Sequence, residues 1–259
     1  MWRWLERVIR KNKPAQPFPS TWISILKKNV KHYRFLDESH RSALHQLVEQ
    51  FISEKNWEGC GGLILTDEIK VTISAEACIL ILGLPHQVYK DVESIFVYPS
   101  TVVIPERKVG VFEISDSPRS TKIVLGQAQL RGPTILVWDS VLREARHPER
   151  GHNVVYHEFA HKLDMLDGSA DGTPPLENDE QYKRWVKICS KEFIHLKDQA
   201  EKGIPTFLDA YGVVNEAEFF AVITEQFFDQ PKKFRNKHPS LYHLLKDYYR
   251  QDPAKHLGY

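Results

Sequence analysis

Apolar residues recur every three or four positions in several separate stretches of the chain. Between about 20 and 54, Leu44, Leu47, Val48 and Phe51 show this spacing, which predicts helices with one buried face. Ser20 or Thr21 stands ready to cap the first helix and Asp37 the second, because a short side-chain oxygen can accept a free amide at a helix start. Residues 72–84 carry Ile73, Ala77, Cys78, Ile79, Leu80 and Leu82 and predict a buried helix. Three further helices are expected at about 179–200, 213–230 and 239–250. Residues 94–104, 109–114 and 134–138 are rich in β-branched side chains and predict strands. The last of these could offer its edge to an extended peptide.

Breaks in the pattern fall at turn-forming residues. Gly59-Cys60-Gly61-Gly62 lacks both the dinucleotide fingerprint and the P-loop lysine, so it is read as a turn. Residues 164–177, rich in Asp, Gly and Pro, lack the spacing of a calcium loop and form an irregular connection. Residues 13–19 hold three prolines and read as a linker. The expected fold is α+β, with a mostly helical body and a small mixed sheet. One domain is expected over residues 20–259, with an α/β part to about 150 and a helical part from about 151. A basic segment and linker, residues 1–19, precede it.

Composition narrows the classes. The chain has 259 residues, 42% of them hydrophobic, enough for a sizeable core. A net charge of +1 gives no reason to expect direct nucleic-acid binding. Three widely spaced cysteines, Cys60, Cys78 and Cys189, form no C-x-x-C pair and suggest buried thiols in a reducing cytoplasm. The N-terminal ten residues interleave Trp2, Trp4, Leu5, Val8 and Ile9 with three arginines, unlike the continuous apolar core of a signal peptide. No apolar run approaches the roughly 18 residues of a membrane-spanning helix.

The candidate chemistry lies at His157-Glu158-Phe159-Ala160-His161. On a helix, residues i and i+4 share a face, so two imidazoles with this spacing can hold one zinc ion. Glu158 then sits beside the ion, where it can take a proton from water. Catalytic zinc sites usually have a third protein ligand. The chain has Asp164 and Asp167 where the metzincin pattern needs glycine and histidine, so the third ligand must come from elsewhere. A carboxylate from the helix expected at 213–230 is the natural alternative. Glu218 and Glu225 share a face there, seven residues apart, and physical reasoning from the sequence leaves both open. Asp164 and Glu225 are candidates to orient a zinc-bound imidazole through its other nitrogen. His152 and His195 lie outside the pattern and are read as surface residues.

The segments Phe96-Val97-Tyr98-Pro99-Ser100, the run from Gly151 to Asp164, Asp209-Ala210-Tyr211 and Ala217-Glu218-Phe219-Phe220-Ala221-Val222 resemble the Mlc titration factor A family. The resemblance covers most of residues 20–252. It implies a zincin-like, cytoplasmic zinc peptidase with a gluzincin-type site, related in its catalytic region to the anthrax lethal factor protease. It implies Glu218 as the third ligand and Tyr211 as the catalytic tyrosine, placed to donate a hydrogen bond to an oxyanion. Gly126-Gln127 stands where the family often has Gly-Glu.

Two functions follow as expectations. The first is a zinc metallopeptidase with aminopeptidase-like activity on peptide or protein substrates. The second is a binding protein that sequesters a Mlc-like repressor of glucose phosphotransferase genes, with peptidase activity secondary.

Overall fold

A computed structural model of the chain describes residues 17–100, 112–114, 121–123 and 132–256. The N-terminal basic segment, most of the linker, Gly126-Gln127 and parts of the strands expected at 94–104 and 109–114 lie outside the described residues.

Helices α1 (Ser20–Asn29) and α2 (Glu38–Glu54) pack on α3 (Asp67–Leu80). The Asp37 side chain caps α2, accepting the amide of His40 at 2.8 Å. The expected side-chain cap of α1 is not formed: Pro19 occupies the capping position and Ser20 is already helical. Thr66 caps α3, and every residue of α3 from Val71 to Leu80 is buried. A helix apolar on nearly all sides belongs in the middle of a domain, and α3 lies there.

Strand β1 (Asn56–Gly59) was not expected, because its sequence Asn-Trp-Glu-Gly has weak strand character. It pairs in parallel with β2 (Ser94–Tyr98), which alternates buried Ile95 and Val97 with partly exposed neighbours. After the short pair β3 (Phe112–Ile114) and β4 (Thr121–Ile123) comes β5 (Thr134–Val137), parallel to β2 with Val97 opposite Leu136. The strand order is β1-β2-β5, so β5 is an edge among the described strands. Where a mixed sheet is expected, the strands among the described residues form a three-stranded parallel sheet and a separate antiparallel pair, β3–β4. Parallel neighbours need long crossovers, and α3 supplies the one between β1 and β2. Just beyond β1, Gly61 and Gly62 have φ of 60° and 81°, which makes the expected turn.

The chain then enters α4 (Trp138–Arg146), so Trp138 begins a helix rather than ending a strand. There follow α5 (Val154–Asp164), α6 (Asp179–Glu201), α7 (Glu216–Asp229), α8 (Pro231–Lys237), α9 (Pro239–Tyr249) and α10 (Pro253–His256). Pro231 and Pro239 each open a helix, where a missing amide costs nothing, which splits the C-terminal region more finely than periodicity suggested. One hydrophobic core runs from Leu26 in α1 to Ala254 in α10. Among the described residues, no helix is long and apolar enough to cross a membrane.

Candidate metal centre

Helix α5 carries the H-E-x-x-H segment. Asn153 caps it, its Oδ1 accepting the amides of Val155 and Tyr156 at 3.1 Å each. Glu144 accepts the Val154 amide at 2.8 Å, placing a carboxylate at the positive end of the helix. Val155, Tyr156, Phe159 and Leu163 face the core. The Phe159 ring packs against Tyr89 at 4.9 Å and Phe51 at 5.7 Å between centroids. These contacts fix the rotation of α5, and His157 and His161 then project together toward α7.

Helix α7 is buried along its whole length from Ala217 to Asp229. Asn215 caps it by accepting the amide of Glu218 at 2.8 Å. Glu218 is 7% exposed and points at the two imidazoles. Its Oε2 lies 2.9 Å from His157 Nε2 and 3.5 Å from His161 Nε2, and the two ring nitrogens are 3.3 Å apart. A tetrahedral zinc ion bonded at about 2.0–2.1 Å keeps its donors about 3.3 Å apart. The three donors therefore have the spacing that one such ion requires. Glu218 Oε2 is buried and has no hydrogen-bond partner among the described residues. Two imidazole nitrogens and a carboxylate oxygen form a donor set suited to zinc, and three protein donors leave a fourth position for water or substrate. Among the described residues, this is the one group of three or more such side chains close enough to share an ion.

The charges around these donors are set by burial and by each other. Burial disfavours the charged form of His157, but Glu218 and Glu225 outweigh it and hold the imidazole well above its ordinary pKa. Burial likewise opposes ionisation of Glu218, yet both histidines keep its carboxyl below the usual range. A cation at the three donors would take over the role of these protons. Glu158 is raised by burial, against the pull of His157, His161 and Lys162, which makes its carboxylate a better proton acceptor.

Glu225 occupies an outer position. Its Oε1 meets His157 Nδ1 at 2.8 Å, and its Oε2 accepts the Asn153 amide at 2.8 Å. Asp164 turns elsewhere: its Oδ2 accepts the amide of Gly172 at 2.9 Å and ties down the loop after α5. Among the described residues neither His161 Nδ1 nor Asp164 Oδ1 has a hydrogen-bond partner, so Asp164 does not hold the histidine directly.

Tyr211 lies in the 3-10 turn Ala210–Val213, packed on α7. Its ring centroid is 5.9 Å from that of His157. Burial first, then the charges of Glu218 and Glu158, push the phenol up to about 12, so it stays a protonated donor at neutral pH. The turn is pinned by Asp209, whose Oδ1 accepts the Tyr211 amide at 2.8 Å.

Sequence reasoning missed three residues here. Asn153 and Asp209 show only as cap-type residues until their partners are known. His152, read from sequence as a surface residue, has Nε2 3.9 Å from Asp209 and Nδ1 3.9 Å from Glu225.

The chain matches the glucose-regulated metallo-peptidase M90 family over residues 2–250 and belongs to that family. Its class is thus that of metallopeptidases, which implies a bound metal. The chain is 36% identical, over 92% of its length and 86% of the relative's, to an uncharacterized protein of Synechocystis sp.. It is 28% identical to the Mlc titration factor A proteins of Yersinia pestis and Yersinia pseudotuberculosis, over 99% of this chain and 93% of theirs.

Proposed function

We propose that the protein is a zinc-dependent metallopeptidase of zincin-like fold, in which His157, His161 and Glu218 hold the ion. The observation that carries this reading is the convergence of three donors with gaps of 2.9, 3.3 and 3.5 Å beside the carboxylate of Glu158. Bound zinc supplies Lewis acidity, acidifying water and polarising a carbonyl. Glu158 takes the proton of the attacking water and passes it to the leaving amine. Tyr211, which stays protonated at neutral pH, donates its phenolic hydrogen to the oxyanion of the tetrahedral intermediate. Glu225 keeps His157 in the tautomer with Nε2 free for the metal.

The substrate is a peptide, and β5, an edge among the described strands, offers it a strand partner. The activity is aminopeptidase-like, on the family resemblance of the motifs around His157 and Glu218. One domain from residue 20 onward carries it, supported by the continuous core. A cytoplasmic setting accords with three free cysteines. The test is metal analysis with peptide hydrolysis on wild type and Glu158→Gln. We expect about one zinc per chain in both and a loss of about 10²–10⁴-fold in turnover in the variant. Full turnover by Glu158→Gln would sink the mechanism.

A second reading rests on the relatives named Mlc titration factor A. In it, the protein binds a Mlc-like repressor and so influences glucose phosphotransferase genes, with hydrolysis secondary. Repressor capture that survives Glu158→Gln and removal of zinc would favour it.

A further inference from the structure

We propose that His152 is a positioning residue that couples the zinc ligand His157 to the oxyanion donor Tyr211. The inference rests on the metallopeptidase reading above and extends it to a residue outside the H-E-x-x-H pattern.

The geometry is a chain of contacts. Glu225 Oε1 holds His157 Nδ1 at 2.8 Å, and Glu225 Oε2 lies 3.9 Å from His152 Nδ1. The opposite nitrogen of the same ring, Nε2, lies 3.9 Å from Asp209 Oδ2. Asp209 Oδ1 in turn accepts the Tyr211 amide at 2.8 Å. One rigid ring thus stands between two carboxylates. One carboxylate orients a metal ligand, and the other shapes the turn that carries the tyrosine. At 3.9 Å both contacts are too long for direct hydrogen bonds, so the coupling is electrostatic and acts when the imidazole carries its second proton. Imidazole suits the role because its two nitrogens lie on different edges of a rigid ring. An amide side chain presents its donors on one nitrogen only.

The backbone beneath His152 is held firmly. Gly151 has φ of 70°, and a Cβ there would come 2.3 Å from Gln230 Nε2 and 2.6 Å from Gln226 Nε2. Gln226 donates to the Gly151 carbonyl at 2.7 Å, and Asn153 donates its amide to Glu225 at 2.8 Å. Residues on both sides of His152 are therefore fastened to α7, the helix that carries Glu218. This fixes where the His152 ring begins. The His152 side chain is 33% exposed, at the edge of the core rather than inside it, so its ring can be replaced without opening a cavity there.

Two double-mutant cycles test the coupling, one read without catalysis. In the first, zinc affinity is measured by chelator competition for wild type, His152→Ala, Glu225→Gln and the double variant. We expect His152→Ala to weaken zinc binding about tenfold in wild type, the scale of an outer-shell partner, and less than about twofold when Glu225 is already changed. In the second, kcat on a short peptide is measured for His152→Ala with and without Tyr211→Phe. The loss in kcat should be present with Tyr211 and largely absent without it, with KM little changed. A merely structural role predicts equal losses in all backgrounds together with a lowered Tm. That result, or an unaltered zinc affinity and kcat in His152→Ala, overturns the proposal. Wild type that binds no zinc would overturn the metallopeptidase reading and this inference together. Wild type that binds zinc but cleaves no peptide would overturn the peptidase reading alone and leave the first cycle to decide on His152.

Discussion

Glu225 Oε1 lies 2.8 Å from His157 Nδ1, on the edge of the ring turned away from His161 and Glu218. A neutral imidazole donates from one nitrogen and accepts or ligates with the other. By accepting the hydrogen bond from Nδ1–H, Glu225 leaves the Nε2 lone pair on the side where His161 and Glu218 converge. The same carboxylate accepts the Asn153 amide, so it also fixes the start of α5 relative to α7. Two glutamates on one helix thus have different tasks, and their contacts separate them.

This arrangement makes different losses for the two glutamates. Glu218→Ala removes a donor that converges on both histidines and should abolish tight zinc binding. Glu225→Ala removes an orienting contact and should weaken affinity or activity by about 10–100-fold. Zinc titration of both variants checks this. Equal loss in the two would mean that Glu225 also ligates the metal.

Tyr211→Phe distinguishes an oxyanion donor from a core residue. The phenol is about half-buried beside Glu218 and Glu158 and is held protonated. Removing the hydroxyl should lower kcat about 10²-fold or more with zinc still bound. Unchanged kcat, with a stability change of about 1 kcal/mol, would return the residue to a packing role.

Much of this site was legible because its chemistry is local. His157, Glu158 and His161 lie within one helical turn, and the i, i+4 rule alone puts both imidazoles on one face. The choice between Glu218 and Glu225 was not available to periodicity, since residues seven apart share a face. It depends on which turn of α7 lies opposite α5, and that is set by side-chain packing from distant parts of the chain, such as Phe51 and Tyr89 against Phe159. The contacts of His152 were hidden for the same reason: Asp209 and Glu225 are more than fifty residues away in sequence. The long amphipathic helices were found, whereas β1 and α4 were missed. Asn56–Gly59 has little strand propensity and is held by its pairing with β2, a contact that no local pattern records.

Asn153 should resist replacement by aspartate, although both are good helix caps in general. Its Oδ1 takes two amides of α5, while its Nδ2 donates to the buried Glu76 Oε2 at 2.9 Å. Asn153→Asp keeps the cap and turns the donor into a second carboxylate against Glu76. Asn153→Ala loses the cap and leaves Glu76 without that donor. We expect Asn153→Ala to cost about 1–3 kcal/mol and Asn153→Asp to cost at least as much at pH 8. Chemical denaturation measures both. An aspartate variant as stable as wild type at pH 8 would show that the contact with Glu76 contributes nothing.

Glu76 should give the protein a pH-dependent weakness that can be removed. Its carboxyl is wholly buried in α3, and burial raises its pKa from 4.5 to about 7 despite hydrogen bonds from Tyr156 and Asn153. Asp229, also wholly buried, is pushed well above the usual carboxylate range by burial first and then by Glu76. The folded state thus holds the Glu76 proton more tightly than the unfolded state does. Between the two pKa values the native state binds more protons, so stability falls as pH rises from about 4.5 to about 7 and levels off above. The full shift corresponds to about 3 kcal/mol. Glutamine keeps the shape and an oxygen to accept from Asn153 but carries no titratable proton. Glu76→Gln should therefore gain on wild type by about 2 kcal/mol between pH 5 and pH 8, whatever their difference at pH 5. Urea unfolding of both proteins at the two pH values, with zinc saturating so that metal linkage is held constant, gives this difference of differences. A gap between variant and wild type that does not change with pH would mean that Glu76 titrates normally in the folded protein, and that its buried carboxylate is stabilised by more than Asn153 and Tyr156.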